Sequence, residues 1–151
     1  MKRGQAATEY ILVAALILII LVPAAIMFMM NIKGSTENLS ISKLYKIGND
    51  IVNNAIEVYY QDQPAKITLK ESFPAGLTNI TVRNDWTIQP PVNELVFYVD
   101  KKGRSEEMVF ISDVNIDGDF NENHTKKGVK NIILLANRTS TGIPYVKIEI
   151  Q

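Results

Sequence analysis

The stretch from Arg3 to Val22 reads RGQAATEYILVAALILIILV. It opens an uncharged, almost wholly apolar run from Ile11 to Met30, interrupted in its regularity only by Pro23. About 20 such residues form a helix of roughly 30 Å, enough to cross a hydrocarbon layer. One carboxylate, Glu9, stands at the mouth of this run. A carboxylate beside hydrocarbon is costly unless a cation meets it, so Glu9 asks for a partner.

The basic pair Lys2-Arg3 precedes the run. A cationic N-terminal flank keeps that end cytoplasmic and sends everything after Met30 outside. A cleaved secretory signal has a shorter apolar run followed by a small-residue site, and Asn31-Ile32-Lys33 offers none. Scission between Gly4 and Gln5 would instead create a free α-amino group one helical turn from Glu9 and remove the charged leader. That amine, from the same chain or from a neighbour shifted along the axis, is the cation the carboxylate lacks.

Lys2-Arg3-Gly4-Gln5, then Glu9, then the apolar helix, resemble the class III signal peptide of archaeal type IV pilins. The likeness covers about the first 30 residues, and Gln5 after Gly4 is most similar to the adhesion-pilus branch rather than to the archaellins. The resemblance implies cleavage after Gly4 by an aspartate-type prepilin peptidase, extraction from the membrane by a pilus assembly machinery, and polymerisation as a homo-oligomeric helical filament. It implies a cell-membrane precursor and an extracellular mature pilus. The alternative is an uncleaved membrane-anchored extracellular binding module, with Glu9 at headgroup level.

Downstream, residues 31–38 contain Gly34, Ser35 and Thr36 and read as a hinge. Leu44, Ile47, Ile51, Ala55 and Val58 then recur at helical spacing, predicting an amphipathic helix over 39–60, with a bend at Gly48. Beyond Pro64 the period becomes that of strands, at 66–70, 77–82, 95–99, 108–111, 129–136 and 145–150. Pro74-Ala75-Gly76, Gln89-Pro90-Pro91 and Asp100-Lys101-Lys102-Gly103 punctuate the joins. Residues 132–135, apolar on both faces, predict a central strand. The expected fold is α+β, a type IV pilin-like arrangement of a long N-terminal hydrophobic helix, an amphipathic helix and an antiparallel β-rich globular domain. The expected division is a leader at 1–4, an assembly or transmembrane helix at 5–33, and an extracellular head at 34–151.

The pattern DVNIDGDFNENH at 113–124 resembles an EF-hand-like calcium loop. Asp113, Asn115, Asp117 and Asn121 would give side-chain oxygens and Asp119 its backbone carbonyl. Gly118 would allow the sharp turn, and Phe120 would anchor the loop in the core. His124 stands where the motif has a bidentate glutamate, which predicts loose Ca²⁺ binding, with water or Glu122 as substitute ligand. The same residues also suit an Asx-rich turn without metal. Four Asn-x-Ser/Thr sequons, at Asn38, Asn79, Asn123 and Asn137, are candidate glycosylation sites, and Asn123 and Asn137 look loop-borne.

Other chemistry finds little footing. The 16 basic and 16 acidic side chains balance and are dispersed, so nucleic acid is not an expected partner. The chain has no cysteine and one histidine, without a nucleophile elbow or phosphate loop, and an enzyme is not expected. Glu106-Glu107 read as a solvated strand start, and Trp86, Tyr98 and Tyr145 as half-buried aromatics rather than a binding face.

Overall fold

A computed structural model describes the backbone of residues 2–85, 91–101 and 103–151, and side chains within these ranges except at 2–7 and 31–37. The aromatic Trp86, the Gln89-Pro90 pair and Lys102 of the predicted hairpin lie outside the described residues. The chain divides into two compact units, Met1–Leu39 and Ser40–Gln151.

Helix α1 spans Lys2–Gln61 and contains Pro23. Its backbone is helical through Gly34-Ser35-Thr36, where a hinge and a new helix start were expected. Glycine and hydroxyl residues lower helix propensity by less than about 1 kcal/mol each, too little to end a helix flanked by good formers.

In the second unit, Leu44, Ile47, Ile51, Ala55 and Val58 are at most 1% exposed. They enter one core with the inner faces of seven strands: β1 (Lys66–Phe73), β2 (Leu77–Asp85), β3 (Val92–Lys101), β4 (Arg104–Ile111), β5 (Ile116–Asp117), β6 (Gly128–Arg138) and β7 (Pro144–Ile150). These form a four-stranded sheet of order β1-β6-β7-β5 and a three-stranded sheet of order β2-β3-β4. Residues 132–135 do sit in a strand flanked on both sides, β6 lying between β1 and β7. All pairings are antiparallel except β5 with β7, a parallel addition not foreseen. A short helix, α2 (Glu122–Thr125), follows β5.

The joins follow turn chemistry. Gly76 (φ 100°) and Gly103 (φ 78°) adopt left-handed backbone that glycine enters without steric penalty. Asp100 accepts the Gly103 N–H through its carboxylate at 2.8 Å, closing the β3–β4 hairpin. The end of α1 is fastened differently. Asp62, itself left-handed at φ 58°, accepts the Gln63 N–H at 2.8 Å and pairs with Arg138 at the end of β6.

Candidate functional site

The most prominent chemical feature is the apolar stretch of α1. Thr8–Met30 is long and apolar enough to cross a membrane, and none of it is buried within the protein. Ile19 is 73% exposed and Met30 70%. Each large aliphatic side chain is worth on the order of 1.5–3 kcal/mol when taken out of water, so this surface requires lipid or other protein around it. Leucine and alanine favour helix in the stretch, while Pro23 removes one N–H donor and frees the carbonyl of Ile19. Glu9 lies within α1 and is exposed. Gly4 and Gln5 share the same helical backbone, and their side chains lie outside the described residues.

The 113–124 segment takes the form of a strand, a turn and a helix cap. Ile116 turns into the core, which places Asn115 and Asp117 together on the opposite side of β5. The Asn115 amide donates to the Pro144 carbonyl at 3.1 Å and its oxygen accepts from Asn93 at 3.4 Å. The Asp117 carboxylate accepts the Gly118 N–H at 2.9 Å and the Asn84 amide at 3.3 Å. Asn121 is the N-cap of α2, its side chain accepting the Asn123 N–H at 3.0 Å while His124 Nδ1 accepts the Asn121 N–H at 3.2 Å. Asp113 is exposed. Asp119 lines, with His124, Lys147 and Glu149, a shallow cavity of about 270 Å³. Among the described residues no three histidine or carboxylate groups are gathered closely enough to hold a metal.

The role expected of Gly118 changes. It has no left-handed backbone; a Cβ there would stand 2.7 Å from Phe120 Cζ and 2.9 Å from the Ile148 carbonyl oxygen. Close approach of β7, rather than turn conformation, requires glycine at this position. Phe120 packs against the core as expected.

The sequons separate by environment. Asn137 is on β6 rather than a loop, and its amide nitrogen donates to the Tyr145 hydroxyl at 3.1 Å. Asn123 is exposed within α2, and its side-chain oxygen accepts from Lys126 at 2.7 Å. Asn79 is exposed on β2, and Asn38 is exposed on α1.

Tyr98 and Tyr145 stand on different sheets, so they do not share a face. Glu106 and Glu107 project to opposite sides of β4, as neighbours on a strand must. Glu106 pairs with Lys101 at 3.1 Å and Glu107 with Arg83 at 2.9 Å. Arg83 also donates to the Tyr98 hydroxyl at 2.8 Å and lies 3.9 Å from Glu94. This cross-strand network was invisible in the sequence, because only the β2-β3-β4 register aligns its members. No family model matches the chain, and searches of curated proteins and of solved structures likewise give no match.

Proposed function

We propose that the chain is a structural subunit of an archaeal type IV pilus of the adhesion type, polymerising through its N-terminal helix and presenting its β-rich head for surface attachment. The observation that carries this reading is the 23-residue apolar span of α1, none of it buried within the protein. Its single carboxylate sits one helical turn beyond Gly4-Gln5. A membrane covers such a surface in a precursor, and copies of the same helix cover it in a filament. Removal of the Lys2-Arg3 leader would supply the amine that neutralises Glu9. Partners on this reading are a prepilin peptidase, the assembly machinery and other copies of the chain.

Electron microscopy of sheared cell-surface material, with N-terminal analysis of the protein recovered, tests the proposal. Filaments containing a chain that starts at Gln5 are expected. Recovery only from detergent-extracted membranes, with Met1 intact, would favour the anchored binding module.

A further inference from the structure

The two sheets of the head turn outer faces of unlike character away from their shared core. On the three-stranded sheet, inner positions such as Leu95, Phe97 and Phe110 are buried, which sets Glu94, Asp100 and Glu107 on the outer side with Arg83. That side is net acidic and is open along β4, whereas Val96 on the same side of β3 is buried. Beside Glu94 in the register lies Ile111, 75% exposed, and Val109 follows two residues earlier at 42%. Both belong to β4, an edge strand, and an apolar edge is ordinarily covered or charged.

On the four-stranded sheet, Ile67 and Leu69 pack against the core and Ile132 and Leu134 are buried within it, which turns Lys66, Lys70 and Val129 outward. Val129 is 60% exposed. Lys66 and Lys70 are exposed and make no ion pair among the described residues. Lys147 and Glu149 pair with each other on the same side and Asp117 lies there too, so this face keeps a small excess of positive charge, with Lys70 two positions from Ser72, the register partner of Val129.

We infer that the acidic, Ile111-bearing face of one head docks on the lysine-bearing face, at its Val129 corner, of the head of a second copy of this chain. Charge complementarity selects the partner, and the two exposed apolar patches supply the desolvated centre. The contact joins unlike faces, so a docked pair leaves the lysine-bearing face free on one copy and the acidic face free on the other. Such a heterologous contact does not close as a two-fold dimer, and on the filament reading it repeats along the open helical array. The inference rests on the filament reading for the arrangement of copies, and it adds a lateral contact between heads to the assembly made by the apolar helices.

The chain has no cysteine, so thiols can be placed without background. The full-length variant Ile111→Cys/Val129→Cys, treated in filaments or in membranes with a short bis-maleimide, should give a ladder of covalent multimers, and neither single variant should. Adding Lys66→Glu and Lys70→Glu should cut crosslinking about tenfold, as juxtaposed like charge weakens association. A further Glu107→Lys should restore it. Filaments visible by microscopy without a ladder overturn the docking while leaving the polymer reading intact. Covalent dimers from Ile111→Cys alone also overturn it, since they show like faces meeting. A ladder from membrane-held copies without filaments supports the docking and counts against the polymer reading.

Discussion

The ring of Phe110 occupies the space a side chain on Gly48 would need: a Cβ built there falls within contact distance of Cζ and both Cε atoms. Gly48 thus lets β4 lay an aromatic ring against the backbone of α1, within a row in which Phe110 also meets Tyr45 at 5.9 Å and Phe97 at 5.2 Å. Helix propensity alone favours alanine over glycine by about 1 kcal/mol. Overpacking a core costs about 1–3 kcal/mol, so Gly48→Ala should be net destabilising. Chemical unfolding of the detergent-held chain checks this. Adding Phe110→Leu should make the double variant less destabilised than the sum of the singles, by about 1 kcal/mol of coupling. Additive effects would mean the ring moves aside freely.

The clasp between Asp62 and Arg138 gives a pH-dependent contribution. The Gln63 N–H held by Asp62, and then the Arg138 guanidinium, lower its carboxyl below the ordinary carboxylate value. A depressed folded value means stabilisation that is present above the unfolded value, near pH 4, and is lost as pH falls through the folded one. Asp62→Asn keeps a side-chain oxygen for Gln63 and tolerates left-handed backbone, but loses the charge. The variant should melt slightly below the parent at neutral pH, and the gap should close as pH drops below 4. Because the pair is exposed, the neutral-pH gap should also shrink in high salt. A gap that persists unchanged at low pH would assign the effect to geometry rather than charge.

Much of the head was legible because burial leaves periodic traces. The stripe Leu44, Ile47, Ile51, Ala55 and Val58 is the buried face of α1, and the six apolar runs are six strands. The segment that escaped was 113–124, where a two-residue strand and a four-residue helix are too short to show a period. Asn121 and His124 stand three apart, as a capping pair does, yet that spacing was absorbed into a metal-loop pattern built from the same oxygen-rich residues. Gly48 was read as a bend for a related reason. The ring that needs its missing side chain arrives from about 60 residues away, and nothing local announces it.

Calcium remains a proposal with a direct test. The Asp117 carboxylate already holds Asn84 and Gly118, so an ion must draw on its second oxygen, with Asn115 beside it. For a site with Kd on the order of 1 mM, 10 mM calcium would add about 1.4 kcal/mol to the folded state. The expected result is a melting temperature that rises with calcium in the parent and not in Asp117→Ala. The increment is the readout, since Asp117→Ala also lowers the baseline by losing its hydrogen bonds. An equal increment in both proteins, or none in either, would leave 113–124 a strand, a turn and a cap.

Glu9 supplies the sharpest test of assembly. It is the only charged residue from Gly4 to Met30, and on the filament reading its surroundings become a dry bundle of apolar helices. A buried carboxylate survives there only with a cation at hand, and scission after Gly4 provides one as the amine of Gln5. Glu9→Gln preserves size and hydrogen bonding but leaves that amine without its counter-charge, and breaking one side of a buried pair typically costs about 3–5 kcal/mol. The substitution lies beyond the peptide bond to be cut, so the ratio of mature to precursor protein should stay at the parental level. Filament yield should fall severely, because the same loss is repeated in every subunit. N-terminal analysis and quantitation of sheared filaments measure the two quantities separately. Normal processing with normal filament yield would show that the amine and Glu9 do not meet, and loss of processing itself would place Glu9 in peptidase recognition instead.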